Sequence, residues 1–159
     1  MMASVKKGFS FGLTSGIITT LGLIIGLHSG THSRIVIIGG ILVIAIADAL
    51  SDALGIHISE EAENAHTARE VWYSTMATFF SKFIFAMTFV VPIYLLPLST
   101  AVAVSVAWGL SLIAIFSYHI ARKQNIRPYR VILEHVIIAV IVIIITHYIG
   151  DFVSIWLAG

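Results

Sequence analysis

Residues 35–58 decide the fold class, and they read IVIIGGILVIAIADALSDALGIHI. A helix needs about 20 mainly apolar residues to cross the hydrocarbon core of a bilayer. This segment is long enough, and its only acidic or basic side chains, histidine apart, are Asp48 and Asp52. It is therefore predicted to be a transmembrane helix that carries two carboxylates.

The composition of the whole chain agrees with this prediction. Of 159 residues, 58% are hydrophobic and 11% are charged, and the mean hydropathy is +1.01, whereas soluble domains carry about 25% charged residues. A net charge of +1 excludes the electrostatic footprint of a nucleic-acid binder. The absence of cysteine excludes disulfides and thiolate metal sites. We expect one integral membrane domain over residues 1–159 that has lipids and not nucleic acid as partners, in the cell membrane of a prokaryote or in an organelle membrane.

Hydropathy predicts an all-α bundle of five transmembrane helices. Their approximate bounds are 8–28, 35–58, 72–96, 99–121 and 131–157, and a short acidic segment, 59–70, follows the second. Pro92 and Pro97 separate the third helix from the fourth, because proline interrupts a helix. The first segment resembles a signal peptide, but it is too long and lacks a small-residue cleavage site. We therefore expect it to be a retained helix.

Basic residues predict the orientation, because cytoplasmic connections carry an excess of Lys and Arg. With five spans, one side collects Lys6, Lys7, Arg69, Arg122, Lys123, Arg127 and Arg130. The connections on the other side contain only Arg34. The N-terminus is therefore predicted to be cytoplasmic and the C-terminus to lie outside or in a lumen. The run from Arg122 to Arg130 can also be interpreted as a lipid-binding patch, although a topology signal is the favoured interpretation.

The second helix carries the most informative side chains. Asp48, Ser51, Asp52 and Gly55 follow i, i+3, i+4 and i+7 spacing and share one face. A carboxylate inside a membrane costs free energy, so it must face water, a cation or a partner. Lys82 on the third helix is the candidate partner, on a polar stripe with Ser74, Thr78 and Ser81, although its side chain can also snorkel to the interface. We predict a polar vestibule that is open to the cytoplasm and is lined by Asp48, Asp52, Lys82 and Glu134.

Two further clusters contain side chains that bind metals. In the acidic segment, Glu60, Glu63, His66 and Glu70 are either ligands that collect metal at the cytoplasmic mouth or a solvated helical face. On the opposite side, two i, i+4 pairs can chelate a divalent ion at an exit. These pairs are His28 with His32 and His147 with Asp151.

Gly8, Gly12 and Gly16 recur every four residues on the first helix. Glycine at this spacing lets two helix backbones approach closely. The stripe predicts either close packing inside one subunit or a seam between the two subunits of a homodimer.

Two stretches of the chain resemble the vacuolar iron transporter family. They are FGLTSGIITTLGLIIGL, residues 11–27, and IADALSDALGIHISEEAE, residues 46–63. The family typically shows a Phe-Gly start, Leu-x-x-Gly at the end of the first helix and Ala-Leu-Ser-x-Ala-x-Gly in the second. The resemblance covers about residues 8–63 and implies a five-helix transporter of divalent metal with the N-terminus inside.

The chain departs from the family pattern at several positions. Ser15 stands where the family has aspartate in the first helix, Asp52 where it has methionine, and Ile56 where it has glutamate. The family's large cytoplasmic metal-binding domain is reduced to roughly residues 59–70. The carboxylates of the second helix stand instead at Asp48 and Asp52.

These patterns predict a transporter that exports Fe²⁺ or Mn²⁺ from the cytoplasm by proton exchange, as a homodimer. Carboxylate-rich, thiolate-free ligation suits these two metals, and a coupled aspartate pair is expected to retain a shared proton that the metal displaces. The predicted metal ligands are Asp48, Asp52, Glu60, Glu63, His66, Glu70 and Glu134, and Ser51 and Lys82 are predicted to line the path and take part in coupling. The metal is substrate, and no permanently bound cofactor is expected.

Two other classes of function are weighed against transport. A membrane scaffold or assembly subunit would hold Asp48 and Asp52 in a structural network with Lys82. An enzyme is not expected, because the sequence shows no nucleophile–base pair or hydrolase motif.

Overall fold

The computed structural model describes residues 2–63 and 65–156, and within them it is built from helices without strands. The helices are α1 (Met2–Thr31), α2 (Arg34–Ala62), α3 (Ala68–Thr88), α4 (Val90–Leu95), α5 (Leu98–Lys123) and α6 (Pro128–Trp156). The predicted end of the last helix at Leu157 lies outside the described residues, as does Asn64 of the acidic segment.

Five stretches of this fold are long and apolar enough to cross a membrane. Four are single helices, and the fifth, Ala68–Leu95, combines α3 and α4. The prediction of an all-α chain with five such helices is therefore confirmed. α1 and α2 extend beyond the apolar segments that hydropathy found, because polar residues such as Lys6 and Glu60 continue the helical backbone at their ends.

α3 begins at Ala68, four residues before Trp72, at which hydropathy predicts the start of the third helix. The reason is a capping box: the Thr67 side chain accepts from the backbone N–H of Glu70, and the Glu70 carboxylate accepts from the backbone N–H of Thr67 at 3.1 Å. This pair satisfies backbone donors that a helix start leaves open.

The break between α3 and α4 follows from Pro92. Proline has no N–H and its ring clashes with the carbonyl four residues earlier, here that of Thr88, which is the last residue of α3. α4 in turn ends before Leu96, whose backbone is extended because Pro97 follows it. The Arg34 guanidinium donates to the carbonyls of Tyr94 and Leu96 at 3.2 and 2.7 Å and so caps the end of α4.

α1 lies at the centre of the bundle, with α3 and α6 as its main partners. Gly8, Gly12 and Gly16 face α3: a Cβ at Gly12 would lie 2.3 Å from the Thr78 carbonyl oxygen. Gly22, Gly26 and Gly30 face α6: a Cβ at Gly26 would lie 3.3 Å from the Thr146 carbonyl oxygen. Two glycine-lined faces therefore bring two helices close to α1, and Ile17, Leu21 and Ile24 fill the buried core beside them.

If α3 and α4 are taken as one span, successive spans run in alternating directions, so the connections gather at two ends of the bundle. The basic end holds the start of α1, the α2–α3 connection and the α5–α6 connection; the Lys7–Glu60 contact joins two of these. The histidine end holds the α1–α2 connection and the end of α6, which the Ser29–Asp151 hydrogen bond brings together.

Candidate functional site

One lysine and two aspartates converge between α2 and α3. Lys82 Nζ lies 2.6 Å from Asp48 Oδ2 and 2.5 Å from Asp52 Oδ2. Asp48 stands midway between Arg34 and Ala62, the ends of α2, so this contact is far from either end of the helix. We call it the Asp48–Lys82–Asp52 cluster.

Ser15 of α1 completes the cluster. Its hydroxyl donates to Asp52 Oδ2 at 2.6 Å and accepts from Lys82 Nζ at 2.9 Å. The ammonium therefore has three oxygen partners, which matches its three N–H donors. Ser15 was not among the predicted site residues, although the comparison with the transporter family had singled out its position.

The members of the cluster differ in exposure. Lys82 is 1% exposed, whereas 32% of the Asp48 side chain and 21% of the Asp52 side chain remain accessible. With both aspartates ionised and the lysine protonated, the formal charge of the cluster is −1. The carboxylates thus form an accessible, negatively charged surface in front of a buried ammonium.

The structure does not bring two of the predicted site residues, Glu134 of the vestibule and Ser51 of the path, to this cluster. Glu134 is exposed on α6, which packs against α1 and α5, whereas the cluster lies between α2 and α3. The position of Glu134 near the start of the fifth predicted helix indicates its depth in the bundle. It does not indicate the side of α1 on which α6 packs. Ser51 is exposed on α2, turned away from Lys82.

The other residues of the polar stripe of α3 lie at a helix interface. Ser74, Thr78 and Ser81 are buried against the glycines of α1, and the Thr78 hydroxyl lies 3.2 Å from the Gly8 carbonyl oxygen as donor. These side chains are small enough to allow close helix packing and polar enough to bond the neighbouring backbone. They belong to the α1–α3 interface, and only Lys82 of that stripe reaches the aspartates.

The glycine stripe of α1 also lies at the interface with α3. Because α3 of the same chain covers Gly8, Gly12 and Gly16, the structure supports close packing within one subunit. A subunit seam built on these glycines does not fit this arrangement, since the space beside them is already filled.

A second acidic cluster lies at the basic end, and we call it the mouth cluster. Lys7 Nζ lies 2.7 Å from Glu60 Oε1 and 3.1 Å from Glu63 Oε1. His66 Nε2 lies 3.6 Å from an oxygen of each glutamate. Glu60 is 0% exposed, so its charge balance depends on the Lys7 ammonium.

Glu70 was predicted to act with Glu60 and Glu63, but its carboxylate caps the first turn of α3 by bonding to Thr67. The acidic segment is therefore not one helical face. Glu60 belongs to α2, Glu63 caps its end, and Glu70 begins α3.

The four residues predicted at the exit side do lie at one end, the histidine end. The rings of His28 and His32 are 5.1 Å apart, and His147 Nε2 lies 3.5 Å from Asp151 Oδ2. Asp151 also accepts from the Ser29 hydroxyl. His28 Nδ1 is buried without a hydrogen-bond partner among the described residues.

Two polar pairs between helices were not predicted from the sequence. His57 Nδ1 lies 2.9 Å from the Thr75 hydroxyl, between α2 and α3, and His135 Nδ1 lies 2.8 Å from the Ser117 hydroxyl, between α5 and α6. Each histidine interrupts an apolar stretch, and this is the one sequence signal that could have marked it. The hydroxyl partner on the neighbouring helix could not be identified from any sequence pattern.

Within the part of the chain that the structure describes, no three His, Asp or Glu side chains are arranged to hold a metal ion as they stand. In both acidic clusters a lysine ammonium is in contact with the carboxylates. No protein-family model matches the chain, and no curated protein matches it significantly. The resemblance to vacuolar iron transporters therefore stays a prediction from sequence, and the two clusters are the structural features that bear on function.

Proposed function

We propose that the chain is a membrane transporter that exports Fe²⁺ or Mn²⁺ from the cytoplasm in exchange for protons. The observation that carries this proposal is the convergence of Asp48 and Asp52 on a single cation, the Lys82 ammonium, midway along an apolar helix. Two carboxylates and a hydroxyl that already surround one cation are oxygen ligands of the kind that Mn²⁺ and Fe²⁺ accept.

Charge balance gives the coupling. The cluster carries −1 with Lys82 protonated, and a divalent ion on the two carboxylates changes it to +1. Release of one proton from the cluster as the metal binds would return the sum to zero, and a buried site favours a small net charge. This exchange is the proposed link between metal movement and proton movement.

The mouth cluster supports a direction for the proposed transport. Glu60, Glu63 and His66 offer oxygen and imidazole ligands at the end of the bundle where basic residues predict the cytoplasm. Metal is collected there in competition with Lys7, and it passes along α2 to Asp52 and Asp48.

A homodimer remains part of the proposal, with a different surface from the α1 glycines. Near the aspartates, the outward side of α2 presents small residues that are exposed in the single chain: Ala47, Ser51, Gly55 and Ser59. A Cβ at Gly55 would meet nothing within 4 Å. A second copy on this face would also cover the accessible sides of Asp48 and Asp52, away from lipid.

The alternative is a scaffold or assembly subunit, and one observation favours it. Lys82 is buried and has three oxygen partners, so the cluster is already a satisfied structural network. Such a network fixes α2 against α3 without binding any metal.

Flux through the purified protein separates the two functions. The chain is reconstituted in liposomes that contain a metal-sensitive dye and a pH indicator, and Mn²⁺, Fe²⁺, Zn²⁺ and Ca²⁺ are added in turn. A transporter is expected to move Mn²⁺ or Fe²⁺ at rates above protein-free liposomes, with proton movement in the opposite direction. A scaffold is expected to move none of the four.

A further inference from the structure

A groove between α1 and α5 at the basic end combines charge with an apolar floor. Its floor is made of Phe9, Phe116 and Ile120, and Lys6 and Lys123 lie on its two walls. The rings of Phe9 and Phe116 meet edge to face, 6.3 Å between centroids, so the floor is continuous from one helix to the other. We call it the α1–α5 groove.

The two lysines of the groove have no acidic partner among the residues that the structure describes. α1 and α5 contain no Asp or Glu, and no ion pair of Lys6 or Lys123 occurs within residues 2–63 and 65–156. Lys7, the next residue after Lys6, turns instead to Glu60 and Glu63. The groove therefore keeps two uncompensated positive charges directly above aromatic and aliphatic side chains.

We propose that the α1–α5 groove binds one anionic phospholipid, with its phosphate between Lys6 and Lys123 and its acyl chains along Phe9 and Phe116. Basic pockets between transmembrane helices recognise acidic lipid headgroups by this combination of charge and apolar contact. A volume of about 210 Å³ is below that of ordinary small-molecule pockets, which fits a headgroup whose chains continue over the outer surface. Ser10 lines the same groove and offers a hydroxyl to the headgroup.

This inference rests on the part of the proposed function that places the chain in a membrane, and it is independent of metal transport. A lipid-binding measurement and a flux measurement can therefore fail separately. A protein that transports metal without retaining lipid contradicts the groove proposal alone, and one that retains lipid without flux contradicts the transport proposal alone.

The test is a titration of the purified chain in mild detergent with phosphatidylglycerol, with bound lipids counted by native mass spectrometry. We expect one tightly retained lipid per chain. Lys6→Gln with Lys123→Gln should weaken retention about 30-fold, which corresponds to about 1 kcal/mol for each lysine. Arg127→Gln with Arg130→Gln is the matched control, because it removes two exposed charges at the same end outside the groove. The control should retain the lipid as the unchanged protein does.

Any of the following results would overturn the proposal. Equal losses of lipid retention in the two double variants would show that total positive charge, and not the groove, determines binding. Equal retention of phosphatidylcholine and phosphatidylglycerol would show that the site does not recognise headgroup charge. Competition by inorganic phosphate at the concentration of the lipid would show a phosphate site without a lipid. Should the lysine double variant fail to fold, Ser10→Phe fills the groove and keeps both lysines; normal lipid retention by that variant would also contradict the proposal.

Discussion

At the scale of single residues, Lys82 holds two carboxylates that would otherwise face each other. Lys82→Met removes the ammonium and leaves Asp48 and Asp52 without their common cation. Breaking a buried ion pair from one side costs about 3–5 kcal/mol, and the partial exposure of the aspartates places the expected loss at about 2–3 kcal/mol. Thermal or denaturant unfolding in detergent measures this loss.

A second substitution makes that expectation specific. Asp52→Asn in the Lys82→Met background relieves the repulsion, so the double variant should be more stable than Lys82→Met alone. Strict additivity of the two single effects would show that the residues are not coupled, and it would contradict the geometry of the cluster.

Lys7 offers a second prediction at this scale, with its neighbour as the control. Lys7→Gln frees Glu60 and Glu63 from their cation, so the mouth cluster should bind Mn²⁺ about fivefold more tightly, the scale of an ion pair near the surface. Lys6→Gln removes the same charge one residue away and should leave Mn²⁺ affinity unchanged. Isothermal titration calorimetry of both variants with Mn²⁺ measures the two affinities. An equal increase in affinity in both variants would show that only the net charge of this end matters, and it would contradict the prediction.

At the scale of helices, two glycines should respond differently to the same substitution by alanine. A Cβ at Gly12 would lie 2.2 Å from the Ser81 hydroxyl and 2.3 Å from the Thr78 carbonyl, so Gly12→Ala must push α3 away from α1. We expect a loss of about 2–3 kcal/mol, as for other overpacked interfaces. Gly55→Ala meets nothing within 4 Å and should change stability by less than about 1 kcal/mol. Comparable unfolding midpoints for the two variants would contradict the α1–α3 packing.

The same helices show what sequence can predict. Hydropathy was enough for five spans, and the small number of charges was enough to pair Lys82 with Asp48 and Asp52. Partners across helices could not be predicted in the same way. The spacing of Gly12 indicates a close neighbour but not which one, and the position of Glu134 gives its depth but not the side of α1 on which α6 packs. Each of these depends on the arrangement of helices around α1, which leaves no periodic signal in a single sequence.

At the scale of the whole molecule, the proposed homodimer can be tested with single cysteines, because the natural chain has none. Ser51→Cys lies on the exposed face of α2, and we expect it to form a disulfide between two copies in membranes. Ile17→Cys lies on α1, buried within its own chain, and should not crosslink. Crosslinking is measured on a non-reducing gel. A disulfide from the α1 cysteine and none from Ser51→Cys would indicate instead that the first helices lie at the subunit interface.

The central claim is that Asp48 and Asp52 bind the transported metal, and flux beside stability tests it most directly. Asp48→Asn and Asp52→Asn keep the size of each side chain and remove its charge. Each variant is reconstituted in liposomes for Mn²⁺ uptake, and its unfolding temperature is measured in the same preparation. We expect each variant to remain folded and to lose Mn²⁺ flux. A variant that is clearly destabilised yet still transports Mn²⁺ at the original rate would contradict the claim and leave the cluster a structural one.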